Sequence, residues 1–277
     1  MAIENIPESY MKNQESIPDL FVYDFKMTED IIKTKVNLNR HIFSFLQTGK
    51  KQVHFADTSV LVDNSQSLLL KKGNCLWSEL LDTEETYYCK LFFFSEKRLK
   101  EFIQKHIKEN QEHKEAISYF VIENDSYFDS YLNSLSTIMD APVGFMDTLL
   151  TVKFEELLLY LINKYGVKFE NYLLSLITEE KSPLKKVVEK NVYTSLTLEE
   201  IAFLCNMSLS TFKRHFIKEF EVSPGRWFRD KRLLKAKELI LREGLKSSEV
   251  YFDLGYNNLS NFSSAFKNKF GVNPSEI

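Results

Sequence analysis

The chain has only three cysteines in 277 residues, Cys75, Cys89 and Cys205. They are far apart, odd in number and in no paired metal-ligand spacing. That argues against a disulfide framework or a zinc site and fits a reducing cytoplasm. Long apolar runs are also missing. No stretch approaches the ~18–20 residues needed to span a membrane, and the most apolar short patch, Leu91–Phe94, reads as a buried strand. Residues Met1–Asp19 show no basic start, apolar run or small-residue cleavage site of the signal-peptide kind, so a cytoplasmic protein without membrane contact is expected. His41 and His54 stand alone in the strand-like region. Without clustered His and carboxylate ligands, neither a metal nor another cofactor is expected.

What is present points to two globular domains. Hydrophobic residues make up 44% and charged residues 27%, and the 23 phenylalanines predict aromatic-rich cores. The net charge of −3 conceals an asymmetry. From Lys181 to Ile277 there are 17 Lys and Arg against 11 Asp and Glu; the preceding residues hold 19 against 28. A basic C-terminal third on an acidic body suits phosphate binding at one end.

The N-terminal part reads as strands followed by helices. The strand-rich region is placed at about 20–95. Within it, His41–Leu46, Gln52–Phe55, Ser59–Val62, Ser67–Leu70, Leu76–Leu80 and Tyr87–Phe94 are short and apolar or alternating, with turn signals between them. Such spacing suggests a small sandwich or barrel. Helical spacing follows from Ser95 to about Glu112, and over Phe128–Met139, Val143–Tyr165 and Phe169–Ile177. In the third of these, Leu149, Val152, Phe154, Leu157, Leu158, Leu161 and Ile162 form a broad apolar stripe, and Gly166 suits a C-terminal cap. Glu179–Pro183 reads as a linker, so the domains are drawn as 1–178 and 183–277.

The C-terminal third contains a repeat. Phe212, Phe216 and Phe220, followed by Val222 and Pro224, recur fifty residues later as Phe262, Phe266, Phe270, Val272 and Pro274. Four-residue spacing puts each Phe trio on one helical face, where packing is the expected role. The opposite faces carry Ser210, Lys213, Arg214 and Lys218 in one copy and Ser260, Ser263, Ser264, Lys267 and Lys269 in the other. Hydroxyls and cations without carboxylates are the mixture that hydrogen-bonds base edges and phosphates.

A short helix precedes each copy. Thr197 with Glu200 reads as a capping box, and Leu198, Ile201, Ala202 and Cys205 form an apolar face with Cys205 as a core thiol. Ser208 is placed to cap the next helix. In the second copy Glu249–Leu254 reads as the helix, Gly255 as the tight turn, and Asn257 or Asn258 as the cap. Helix, short turn and helix is the helix-turn-helix layout. Between the copies, Ser223 and Pro224 open a helix to about Arg242 that would hold the two units apart.

These residues, in this order, resemble the AraC/XylS family of transcription regulators. The resemblance rests on Leu198–Ala202, Met207–Phe216, Val222–Pro224, Arg232–Leu239, Leu254–Tyr256, Asn261–Lys267 and Phe270–Pro274. It implies an α+β protein: an N-terminal cupin-like β-barrel with dimerisation helices, then an all-α domain of seven helices with two helix-turn-helix units joined by a long helix. It assigns base reading mainly to Ser210, Lys213 and Arg214, with Leu209 and Thr211 beside them. The matching second-unit positions are Leu259, Ser260, Ser263 and Ser264; Asn258, Lys218 and Lys267 complete the expected DNA-binding set. Two departures stand out: Tyr251 where the family has a small Ala, as at Ala202, and Ser247 where it has an apolar residue.

The expected function is a sequence-specific double-stranded DNA-binding regulator, an activator by resemblance, bacterial, with RNA polymerase as a partner. A small apolar effector or a regulatory protein would act on the N-terminal domain. The apolar stripe, represented by Leu149, Val152, Leu157 and Leu161, is the expected homodimer surface. Two alternatives remain open: a cupin-like ligand- or metal-binding enzyme with a helical tail, and a regulator acting by protein contacts without DNA binding.

Overall fold

A strand that is apolar at every position needs two dry faces, because successive side chains point to opposite sides. Strands β4 (His41–Thr48) and β9 (Tyr87–Phe94) are likewise buried almost end to end, with the polar Ser44 and Lys90 buried among their apolar residues. The computed structural model, which describes residues 3–11, 16–82, 85–107, 117–138, 143–178, 184–256 and 258–277, shows where the two faces go. The chain divides into two compact units: Met1–Phe55 with Ser59–Lys181, and Ser182–Ile277 with Ala56–Thr58.

In the first unit β4 and β9 pair antiparallel, with Phe43 opposite Phe92. They are flanked by β2 (Leu20–Met27), β7 (Gln66–Leu70) and β10 (Tyr119–Glu123) in the sheet order β10-β7-β4-β9-β2. A second sheet is built from β1 (Ile3–Ile6), β3 (Ile31–Leu38), β8 (Gly73–Leu80), β5 (Lys50–His54) and β6 (Ser59–Val62), in that order. Ile42, Leu46, Leu91 and Phe93 meet Val36, Val53 and Trp77 of this second sheet. The intervening residues Phe43, Phe45, Phe92 and Phe94 belong to a separate core with the helices. Alternation along each central strand thus feeds two cores. This is the small two-sheet arrangement that the sequence suggested, with the six strands from His41 onward at or near their expected bounds. Two strands lie outside the expected strand-rich span: β1 precedes it and β10 returns after a helix.

Four helices cover the outer face: α1 (Glu96–His106), α2 (Ser126–Ile138), α3 (Val143–Tyr165) and α4 (Val167–Leu176). Gly166, at φ 58°, ends α3 and opens α4. The expected extension of the first helix to about Glu112, the residue Met139 and the linker Glu179–Pro183 lie outside the described residues. The stripe on α3 does not do what was expected of it. Leu157 and Leu161 are fully buried in the unit's own core beside Phe154, so they are spent on covering the sheet and leave nothing for a second copy. Leu149 is half-buried, and only Val152 of the four named residues is well exposed, at 59%.

The inter-sheet core holds one buried ion pair. Strand register sets Lys51 opposite Glu79. The Lys51 Nζ lies 2.8 Å from a Glu79 oxygen and 3.6 Å from the centre of the Trp77 ring. Cys75 and Cys89 are buried, Cys205 is half-buried, and all three are free. Burial pushes the Cys205 thiol up to about 11 and Cys75 up to about 12, so both stay protonated and unreactive at neutral pH.

The second unit is helical throughout its described residues: α5 (Leu184–Lys190), α6 (Leu198–Leu204), α7 (Leu209–Phe220), α8 (Pro224–Glu243), α9 (Ser247–Val250) and α10 (Leu259–Phe270). Seven helices were implied; six are described, and a turn follows α10. No described helix is long and apolar enough to cross a membrane.

Candidate nucleic-acid interface

Each candidate recognition helix is placed by a cap at one end and a Phe-lined face along its length. Ahead of α7, the Thr197 hydroxyl accepts from the Glu200 N–H at 3.2 Å while the Glu200 carboxylate accepts from the Thr197 N–H at 2.7 Å. That reciprocal pair starts α6 where the sequence put it. The helix closes through Met207 N–H to the Ala202 carbonyl and Asn206 N–H to the Phe203 carbonyl, with Asn206 left-handed at φ 57°. Ser208 then caps α7 by accepting from the Thr211 N–H at 3.2 Å.

The second unit repeats this plan with one change. Tyr256 N–H bonds the Tyr251 carbonyl and Gly255 N–H bonds the Phe252 carbonyl, with Gly255 left-handed at φ 74°. Asn258 caps α10 by accepting from the Asn261 N–H at 2.8 Å; Asn257 lies outside the described residues. The left-handed residues Asn206 and Gly255 are 49 apart, whereas the caps Ser208 and Asn258 are 50 apart. The second turn is therefore one residue longer. Its first helix is also shorter than expected, with α-helix only over Ser247–Val250 before hydrogen-bonded turns begin. Tyr251 is half-buried against the local core, where Ala202 of the first unit is 1% exposed.

The Phe trios pack almost identically. Phe212 and Phe216 ring centres are 5.7 Å apart, and Phe262 and Phe266 are 5.8 Å apart. All four are fully buried. Phe216 and Phe220 pack on Trp227 of α8, and Lys237 of α8 lies over Phe270. The long helix therefore serves as common backing for both units.

The opposite faces are open. Ser210, Lys213, Arg214 and Lys218 on α7 are exposed, with Leu209 and Thr211 half-buried at its start. On α10, Asn258, Leu259, Ser260, Ser264 and Lys267 are exposed and Ser263 is half-buried. Among the described residues no ion pair within 4 Å engages Lys213, Arg214, Lys218 or Lys267. Lys269 differs. Its ammonium lies 2.7 Å from Asp230 of α8, so it is turned to the backing helix and leaves the open face to which the sequence assigned it.

Three residues escaped the sequence reading. Ile217 is 50% exposed, seven residues from Ser210 and hence two turns along the same face, between the lines of Lys213 and Arg214. Its spacing was the available signal. Arg232 of α8 donates to the Val192 carbonyl at 2.7 Å, the Thr194 carbonyl at 2.7 Å and the Gly255 carbonyl at 3.2 Å. It ties both helix-turn-helix units to the helix between them. A Cβ on Gly255 would come within 2.7 Å of that guanidinium, which together with the positive φ explains the glycine. Tyr256, in the lengthened turn, is the third.

Comparison with known proteins finds matches in both units. An ExsA N-terminal regulatory domain matches residues 41–172, and a helix-turn-helix domain matches residues 201–277. This order of domains agrees with the AraC/XylS resemblance of the sequence. Proteins to which the chain is similar include the virulence regulon transcriptional activator VirF of Yersinia enterocolitica, 29% identical over 133 residues, which are 48% of this chain and 49% of VirF. The HTH-type transcriptional regulator ExsA of Pseudomonas aeruginosa is 28% identical over 125 residues, 45% of each chain. The chain thus spans about half the length of these relatives. Among solved structures, apo ToxT from Vibrio cholerae is similar at 16% identity, with a TM-score of 0.46 over 95% of this chain and 98% of that one.

Proposed function

We propose that the chain is a sequence-specific double-stranded DNA-binding transcription regulator that acts as an activator. In this reading α7 and α10 enter the major groove, and RNA polymerase is the partner at the promoter. One observation carries the proposal: two capped helices, each backed by a Phe pair at nearly the same ring spacing, present hydroxyl and cationic faces on which, among the described residues, no ion pair within 4 Å engages Lys213, Arg214, Lys218 or Lys267. Arg214 supplies a fork matched to guanine, worth about 1–3 kcal/mol of discrimination. Ile217 supplies an apolar contact suited to the thymine methyl. The second unit, with Ser260, Ser263 and Ser264 where the first has Ser210, Lys213 and Arg214, anchors more than it reads, with Lys267 on phosphate.

Control enters through the first unit. The cavity beside Tyr10, Trp77 and Glu79 has about 50 Å³, room for water-sized guests. Ligand pockets run to about 300–1,000 Å³, so this particular cavity is too small for an apolar effector, and we take a regulatory protein as the input. Homodimerisation is assigned to the outward side of α3, where Phe145, Val152 and Leu159 recur every seven residues at 56, 59 and 43% exposure.

The test is selection of bound duplexes from a random pool. The full chain is expected to enrich a defined motif, and Arg214→Ala to blur one base pair of it while weakening binding about tenfold. An unchanged motif and affinity with Arg214→Ala would refute the assignment of α7 as the reading helix.

A further inference from the structure

The second unit contains a cleft of about 390 Å³ whose walls come from three places. Ser195 and Thr197 precede and cap the first helix-turn-helix unit, Gly255 and Tyr256 form the turn of the second, and Arg229 and Arg232 project from α8. No carboxylate is among its lining residues. Two acids close in sequence to the lining are engaged elsewhere. Glu200 is folded back on Thr197 at 2.7 Å, and Asp230 pairs with Lys269 at 2.7 Å. The cleft is therefore doubly cationic with no internal counter-ion.

Its donors are incompletely used. Arg232 spends three N–H groups on carbonyls, and a guanidinium has five. Arg229 is exposed, and among the described residues no ion pair within 4 Å engages it. Among the described residues the Tyr256 hydroxyl is buried without a hydrogen-bond partner, an arrangement that is unfavourable if nothing ever satisfies it. Burial raises the Tyr256 phenol above its ordinary value, so at neutral pH it remains a donor. A site of cations and a protonated phenol, without acceptor side chains that carry charge, selects an oxyanion.

We propose that this cleft binds a phosphate oxyanion through Arg229 and Tyr256, and that the occupant is a backbone phosphodiester of bound DNA. The second half rests on the DNA-binding reading above. Two recognition helices in successive major-groove segments leave the backbone that crosses between them opposite the seam of the two units, which is where the cleft lies. The bound phosphate bridges the turn of one unit and the linking helix, so it also fixes the spacing of the two. A free phosphate-bearing effector is the other source of the same chemistry.

The experiment uses the full chain with Arg229→Gln and Tyr256→Phe, two substitutions that leave the hydrophobic core untouched. Binding to a selected duplex and to an unrelated duplex is measured across salt concentrations. Arg229→Gln is expected to weaken both equally and to lower the salt slope by about one unit. Tyr256→Phe is expected to weaken both about tenfold with the slope unchanged. Thermal unfolding in inorganic phosphate against chloride at matched ionic strength forms the second arm. Phosphate-specific stabilisation of the wild type, absent in both variants and without any change in salt slope, would keep the site and reassign it to a free anion. Neither effect in either arm would overturn the site. A wild type that binds no duplex would overturn the regulator reading, while the phosphate arm still decides the cleft.

Discussion

Arg232→Met removes a side chain of α8 that bonds the segment leading into the first helix-turn-helix unit and the turn of the second, and its cost can be worked from the geometry. Three carbonyls lose a charged donor, at 2.7, 2.7 and 3.2 Å. A buried hydrogen bond to a charged group contributes about 1.5–3 kcal/mol. The site is only partly buried, so water recovers much of the loss, and roughly half is discounted for that screening. The third bond is long and counts least. The expected loss is about 2–4 kcal/mol, concentrated where α8 meets Val192, Thr194 and Gly255. Arg232→Lys keeps the charge but cannot span three carbonyls in divergent directions, so it recovers only part of the loss. Two measurements follow. Hydrogen exchange should accelerate in α8 and in the Gly255 turn. Affinity for a duplex carrying both half-sites should fall about tenfold or more, while affinity for a single half-site stays near wild type, because the second contact loses effective concentration when the units are no longer held rigidly. Unchanged exchange together with an unchanged ratio of two-site to one-site affinity would refute the strut.

The second unit was legible because its signals are local. Caps, Phe spacing and turn residues all act within a few positions, and the structure places Thr197, Ser208 and Asn258 at helix starts and the Phe trios against the core. What the sequence could not carry is the use of single side chains across distance. Nothing local singles out Arg232, because the three carbonyls it binds lie up to 40 residues from it along the chain. Lys269 shared the spacing of the open face but was captured by Asp230, 39 residues away. The first unit was harder for the same reason. β10 pairs with β7 from beyond α1, with Tyr119 opposite Leu70, and no local pattern announces a partner that distant. The α3 stripe was correctly apolar, yet an apolar stripe does not say what covers it. Here the sheet takes Leu157 and Leu161, and only the narrower Phe145, Val152 and Leu159 line is left facing outward.

Other tests address single links in the chain of argument. If Ile217 reads a thymine methyl, replacing that thymine by uracil in the selected duplex should weaken the wild type about three- to tenfold and leave Ile217→Ala indifferent; equal losses in both proteins would exclude the contact. Lys51→Met strands the Glu79 carboxylate between the sheets and should cost about 3–5 kcal/mol in urea unfolding, whereas Lys51→Met with Glu79→Leu should recover most of it; a double variant as unstable as the single one would mean the pair itself is stabilising. The pH dependence of the first unit should come from His41. Burial, first, and then the positive charges of Lys72, Lys71 and Arg40 push its imidazole down to about 3, against a weaker opposing effect of Glu96. Its Nδ1 accepts from the Lys72 N–H at 3.1 Å, which the neutral ring alone can do. The folded value is depressed, so between the two pKa values the unfolded chain takes up a proton that the folded chain refuses. Stability from this group is thus complete above an ordinary histidine value of 6.5 and drains away as the pH falls below it. At pH 5 the deficit is about 2 kcal/mol, one and a half pH units at about 1.36 kcal/mol each. His41→Asn retains an acceptor for Lys72 and removes the titration. Between pH 7.5 and 5 the wild type should therefore lose about 2 kcal/mol more than this variant, in a range where depressed carboxylates such as Glu96, held down to about 2, have not yet begun to protonate. Parallel stability curves for the two proteins over that interval would show that His41 takes up its proton without leaving the fold.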